Sequence, residues 1–218
     1  MNRNEVLSER IIAVVLELLE SEGHEAVQLR EVARRAHVSL STVYKHFRTR
    51  DELIITALGR WMADNCFAAV ELPRADVTLH DGLVRLLSYV FEPWERNPRM
   101  LQAYAHVRRS PGGAALDARS VDALLPAASA LLGGADPRYA TDIGLILANM
   151  SFAMVVRCAD EDLDAADILP ILERAVDRLT GDNATPAAAA RSGERRSHSV
   201  RNPYAAPFRG NLMPRPPR

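Results

Sequence analysis

The sequence predicts an all-α fold: a small helix-turn-helix head over residues 1–62, then a larger helical body over 63–182. Three observations lead there. Apolar residues recur at i, i+3, i+4 and i+7 along most of the chain, the period of one helix face. No segment alternates apolar and polar residues with the period of two that a strand requires. Helix start and stop signals stand at the ends of the periodic segments: Ser39, Thr49 with Glu52, and Asp136-Pro137 at starts, Gly23, Gly133-Gly134 and Gly181 at stops. The 218 residues are 48% hydrophobic, enough for a sizeable core, although only 6% are aromatic.

The first helix is expected over 8–22, with Ile11, Val14, Val15, Leu18 and Leu19 as its apolar stripe and Gly23 as its C-cap. A short second helix carries Leu29, Val32 and Ala33 inward and stops near Ala36-His37, where Val38 plugs the turn. Ser39 is placed to N-cap a third helix, because its hydroxyl can accept a bond from a free backbone N–H. Val43 and Phe47, four apart, face inward from that helix. Thr49 and Glu52 form a capping box for a fourth helix that is expected to reach about Val70. Five further helices are expected in the body: 79–94, 98–108, 115–132, 137–158 and 165–179. Pro126 should kink or split the third of these, and Pro170 should bend or delay the fifth. The last stretch, 183–218, is rich in Pro, Ala, Ser and Arg without apolar periodicity, and reads as a disordered tail.

The chemistry concentrates in residues 28–50, QLREVARRAHVSLSTVYKHFRTR. This segment holds Arg30, Arg34, Arg35, Lys45, Arg48 and Arg50 against the single acid Glu31, whereas the whole chain has a formal net charge of −1. A basic surface on a near-neutral protein is the electrostatic footprint of a nucleic-acid site. With Val43 and Phe47 inward, Ser41, Thr42, Tyr44, Lys45 and His46 are left outward, as short hydroxyls and long donors that reach phosphates and base edges. Lys45 is the only lysine in the chain.

The string VSLSTVYKHFRTRDEL resembles the signature of the TetR family of transcriptional regulators, in which a short recognition helix ends in Tyr-x-His-Phe before an acidic capping pair. The resemblance runs from about residue 8 to 61. It implies that Ser41, Tyr44 and Lys45 approach base edges and that Thr42, His46 and Arg50 hold the DNA backbone. Gln28, Arg30 and Ser39, at the edges of the motif, complete the expected DNA-binding set. Two departures stand out: Gln28 occupies the N-cap site where Thr or Ser is usual, and Arg50 replaces a common lysine. EAVQLREVARRAHVSLSTVYKHF and the closing ERAVDRLTG are also similar to KstR-like regulators of sterol and fatty-acid breakdown, which implies a lipid or acyl-CoA effector.

In the body, 143–156 is apolar on nearly all sides, so both faces of that helix need cover. One face can pack within the chain; the other calls for a second copy. Ile143, Leu147, Met150 and Met154, with Ile168, Ile171, Leu172, Val176 and Leu179 from the following helix, are the expected homodimer interface. Two dyad-related heads would read a palindromic operator on double-stranded DNA. Phe91, Trp94, Met100, Tyr104, Arg108, Asn149 and Phe152 are the expected lining of a pocket for a small hydrophobic effector. Effector binding would shift the hinge over 51–62 and change the spacing of the heads, releasing a repressor. No cofactor or metal is expected. Cys66 and Cys158 read as separate buried thiols, and the polar N-terminus and the 14-residue apolar run as marks of a cytoplasmic protein without a membrane span. The residues oppose two rival classes. An enzyme finds no nucleophile elbow, Walker loop, Rossmann glycine pattern or zinc-ligand spacing to support it. A protein-interaction module with a degenerate head is opposed by Lys45, Arg48 and Arg50. Activation rather than repression is open at the sequence level.

Overall fold

A computed structural model describes residues 3–160 and 162–183. The expected tail, from residue 184 on, lies outside the described residues, as does Glu161. Among the described residues there are nine α-helices and no strand: α1 (Arg3–Ser21), α2 (Leu29–Arg35), α3 (Leu40–His46), α4 (Arg50–Met62), α5 (Leu79–Arg96), α6 (Pro98–Val107), α7 (Ala114–Leu132), α8 (Pro137–Ala159) and α9 (Ala165–Thr180). A single 3₁₀ turn (His24–Ala26) links α1 to α2, and a π-helical turn (Ala63–Phe67) follows α4.

Several boundaries differ from the sequence reading. The first helix starts five residues before Ser8. At Ala63 the fourth helix gives way to the π turn, short of Val70. Pro126 and Pro170 each lie inside a continuous helix rather than splitting it. The carbonyls these prolines leave unpaired belong to Asp122 and Ala166, both exposed, where water can satisfy them.

The described residues fall into two compact units. The first comprises residues 3–72 and 89–128, so it holds α1 to α4, the C-terminal part of α5, α6 and most of α7. Its core is built from Ile11, Val15, Leu18 and Leu19 of α1, Leu53, Ile54, Ala57 and Leu58 of α4, and Met100, Leu101 and Val107 of α6, all fully buried. Each Ile, Val, Leu or Met side chain among these contributes roughly 1.5–3 kcal/mol when removed from water. The Trp94 ring stacks obliquely between Trp61 at 4.5 Å and Tyr104 at 5.5 Å. Three polar contacts fasten α6 and the turn after it to the head. Arg99 donates to the carbonyls of Ser21 and Glu20 at the open end of α1. His106 packs on His24 with ring centroids 4.3 Å apart. Ser110 donates to the Asp51 carboxylate at 2.6 Å.

The second unit comprises residues 73–88 and 129–183, less Glu161. Its main feature is the antiparallel pair α8 and α9. Asp136 caps α8 by accepting from the N–H groups of Arg138 and Tyr139 at 3.0 and 3.1 Å, with Pro137 in the first helical position. Tyr139, near the start of α8, donates to the carbonyl of Leu179 near the end of α9 at 2.9 Å. The start of α5 joins α9 through His80, whose ring lies 2.9 Å from Asp81 and 2.7 Å from Asp177. Gly82 lets Leu131 reach the α5 backbone: a Cβ there would stand 2.2 Å from the leucine Cδ2. Both cysteines are free and buried, and burial pushes the thiols up to about 12 for Cys66 and about 11 for Cys158, so they stay protonated.

Candidate nucleic-acid interface

α3 is held in place by local chemistry at both ends. On its N-terminal side, α2 closes in a Schellman turn. His37 N–H donates to the Arg34 carbonyl at 3.3 Å and Val38 N–H to the Ala33 carbonyl at 3.0 Å. His37 carries the left-handed residue of that turn, with φ of 54°, at a position where glycine is the usual occupant. Val38, half-buried, covers the turn as expected. Ser39 caps α3 by accepting from Thr42 N–H at 3.1 Å, and its hydroxyl also lies 2.8 Å from those of Ser41 and Thr42. Gln28 makes no side-chain cap to α2; its amide turns back to the Glu25 carbonyl at 3.1 Å.

On the C-terminal side, Val43 is fully buried and Phe47 is 4% exposed, so they anchor α3 against the head core. The chain turns directly into α4, where Thr49 accepts from Glu52 N–H at 3.0 Å. The Glu52 carboxylate accepts from Arg48 N–H at 2.8 Å, one residue before the position a standard capping box would use. Two reciprocal bonds therefore fix the angle between α3 and α4.

With those anchors, Ser41, Tyr44 and Lys45 face outward; Tyr44 is 52% exposed. Thr42 and His46 are half-buried beside them, and Gln28, Arg30 and Ser39 are exposed at the edges. The basic residues divide in a way that sequence alone did not show. Arg34 is spent in a two-pronged bond to Glu31 at 2.6 and 2.9 Å, and Arg35 bridges Glu31 at 2.6 Å and Glu22 at 2.7 Å. These bonds, Arg34 first, hold the Glu31 carboxyl at about 2. Arg50 is half-buried and donates to the carbonyls of Val27, at 2.6 Å, and His24. As seated, its guanidinium braces the link between α1 and α2 instead of standing free for a phosphate. Among the described residues, Arg30, Lys45 and Arg48 have no carboxylate partner. Arg48, exposed and absent from the expected contact set, is therefore a further candidate contact.

The expected effector-pocket residues divide between the two units: Phe91, Trp94, Met100, Tyr104 and Arg108 belong to the first, Asn149 and Phe152 to the second. Phe91, Trp94 and Met100 are buried as packed core. Tyr104 and Arg108 both donate to the Asp117 carboxylate, so the arginine expected to meet an acidic effector already holds an acid. Asn149 is exposed and bonds back to the Leu145 carbonyl of its own helix at 2.8 Å, and Phe152 is 40% exposed. Aromatic and methionine residues at helical spacing serve core packing as readily as ligand walls. A cavity of about 270 Å³ does lie between α4 and α7, lined by Gly59, Met62, Ala63, Phe67, Ala68, Leu116, Arg119 and Ala123.

The expected dimer set is also redistributed. Ile143, Leu147, Met154, Ile168, Ile171, Leu172 and Val176 are buried within one chain, in the seam between α8 and α9, while Met150 and Leu179 are half-buried. The apolar face that α8 leaves open carries Leu145, Ile146 and Phe152, which are 57%, 44% and 40% exposed. By length and composition α8, at 23 residues, would suffice to cross a membrane, yet only 22% of its most apolar window is buried. Periodicity could not decide which side the chain itself covers, because both sides of α8 are apolar.

Comparison with known proteins agrees with the head and extends into the body. The family described as "Bacterial regulatory proteins, tetR family" matches residues 11–57, and "Tetracyclin repressor-like, C-terminal domain" matches residues 77–179. The chain is 25% identical over 176 residues to the HTH-type transcriptional repressor KstR of Mycobacterium tuberculosis, covering 79% of this chain and 80% of the relative. It is also 25% identical over 181 residues to the repressor of the same name from Rhodococcus jostii, covering 80% and 83%. A crystal structure of a TetR transcriptional regulator from Rhodococcus sp. RHA1 superposes with a TM-score of 0.60 at 17% identity, over 82% of this chain and 97% of that one. A transcriptional regulator from the same source gives 0.54 at 24% identity, over 79% and 92%. These two likenesses speak to the fold.

Proposed function

This chain belongs to the tetR family of bacterial regulatory proteins and is a transcriptional regulator, and on that premise we propose that it is a ligand-released repressor binding a palindromic operator as a homodimer in the cytoplasm. The observation that carries the reading is the face of α3. Ser41, Tyr44 and Lys45 point outward from a helix capped at one end and anchored by Val43 and Phe47 at the other, with the unpaired Arg30 and Arg48 flanking it. Such a face supplies base-edge readers at its centre and phosphate holders around them. Residues 1–62 then act as the reading head and 63–182 as the responsive and dimerising body.

The open face of α8 supports the homodimer. A stripe of Leu145 and Ile146 in water is unfavourable, and a second copy of the same helix covers it symmetrically. Repression follows the relatives, both of which are described as repressors. Release follows if a small hydrophobic effector binds the form with the wrong head spacing more tightly than the DNA-bound form.

The test is selection of duplexes from a random DNA pool by the full chain, followed by Tyr44→Ala and Lys45→Ala on the selected site. Each substitution is expected to cost roughly 1–3 kcal/mol of binding, with Lys45→Ala lowering the salt slope by about one. Helix content and oligomeric state should be unchanged. Sequence-blind binding that neither substitution alters would refute the proposal.

A further inference from the structure

We propose that the stacked imidazoles of His24 and His106 form a proton-sensitive latch, which holds the α1–α2 link on α6 at neutral pH and loosens operator binding in mild acid. The inference rests on the regulator reading for its effect on DNA; the latch itself does not. Every residue in it belongs to the first unit.

Three observations meet at residues 20–27. The first is the stack itself, with ring centroids 4.3 Å apart and planes tilted by 33°, so that two positive charges there would repel at close range. The second is that cations already clasp the backbone of the link. Arg99 of α6 donates to the carbonyls of Glu20, at 3.3 Å, and Ser21. Arg50 of α4 donates to those of Val27, at 2.6 Å, and His24. The open end of α1 would favour a charged imidazole, but Arg99 already answers it. The third is that the acids beside the link are screened or engaged. Glu25 lies 2.9 Å from His24 Nε2 with its side chain 79% exposed, so water weakens its pull. Glu22 is bonded to Arg35, and Glu20 is exposed.

The balance runs against a proton on His24. Burial lowers it from its ordinary 6.5, then the charge of His106, and these together with Arg50 outweigh Glu25. A histidine lowered in the fold adds stability above about 6.5 and loses it as the pH falls through the lowered value. The route to DNA is short. The link leads into α2, and Arg50 is the first residue of α4, directly behind the Thr49 cap that sets the angle of α3. A charge on His24 bears on the guanidinium that ties the link to the base of α4. With the latch open, α2 and α3 lose the seating that presents Ser41, Tyr44 and Lys45.

The full chain, His24→Gln, His106→Gln and the double variant are compared from pH 8 to 5. Amide exchange over residues 20–28, corrected for the intrinsic rate, is followed without DNA, and affinity is measured for a duplex selected at pH 8. Below about 6.5 the wild type should lose protection in that segment while the double variant does not. Over the same span its operator affinity should fall roughly fivefold or more relative to the double variant. His37 and His46 gain charge in all four proteins and cancel in the comparison. His24→Gln should remove the whole effect, and His106→Gln should keep the part that comes from burying His24. A chemical-shift titration of the wild type, which needs no variant, should find His24 below 6.5. The latch is overturned if His24 titrates at or above 6.5, if protection over 20–28 is indifferent to pH, or if the affinity of the wild type follows the same pH slope as His24→Gln. Failure to select any duplex would overturn the regulator reading instead, and amide exchange would still decide the latch.

Discussion

His37 stands where the turn between α2 and α3 asks for a left-handed residue, and a side chain with a Cβ holds that conformation at a cost. Both Schellman hydrogen bonds are made all the same, so the geometry is imposed by its neighbours. His37→Gly is expected to stabilise the fold by ~0.5–1 kcal/mol, the relief of left-handed strain less the extra freedom of glycine in the unfolded chain. A denaturant midpoint that rises with an unchanged slope would agree; a fall would mean that the imidazole makes contacts outweighing the strain. Partner choice among the arginines shows what sequence can and cannot tell at this scale. The bonds of Arg34 and Arg35 to Glu31 span three and four residues and were within reach of a helical-wheel argument. The bonds of Arg50 reach back 23 and 26 residues, and nothing local announces them.

At the level of elements, the head was the legible part of the chain. Helix caps are local hydrogen bonds between residues two or three apart, so Ser39 and Thr49 in the head, and Asp136 in the body, could be assigned before any packing was known. Helix lengths were less legible, because the π turn at Ala63 and the uninterrupted helices through Pro126 and Pro170 depend on tertiary surroundings. The joint between α5 and α9 yields a pH prediction. Hydrogen bonds from His80 to Asp81, and then to Asp177, favour the charged imidazole and raise it above its ordinary 6.5. The stability this adds is fully present below about 6.5 and is lost as the pH climbs through the raised value. Between those limits the melting temperature of the wild type should fall with rising pH relative to His80→Gln, whose profile should be flatter there. A chemical-shift titration of His80 checks the direction of the shift. Glu31 runs the opposite way: its contribution is present above the ordinary carboxylate range and disappears only as the pH falls toward about 2.

For the molecule as a whole, the open question was which side of α8 is spare, and hydrophobic periodicity gave no answer for a helix apolar on both sides. The residues expected at the interface hold α9 to α8, and the exposed stripe lies elsewhere on α8, at Leu145, Ile146 and Phe152. Size and aromaticity mark core and cavity walls alike, and the residues around the observed cavity include small ones, Gly59 and three alanines, that no bulk-based search would choose. Leu145→Glu with Ile146→Glu should shift a dimer to monomer in analytical ultracentrifugation without loss of helix content, since both side chains are already exposed within one chain. A dimer that survives both charges would place its contact on another surface. The solitary lysine has a practical corollary as well. In all 218 residues, a lysine-directed acylating reagent finds one side-chain target, Lys45, exposed on the outward face of α3. Mass spectrometry of the acylated chain therefore gives a single-site footprint of that helix, protected when a duplex lies on it and modified when the duplex leaves.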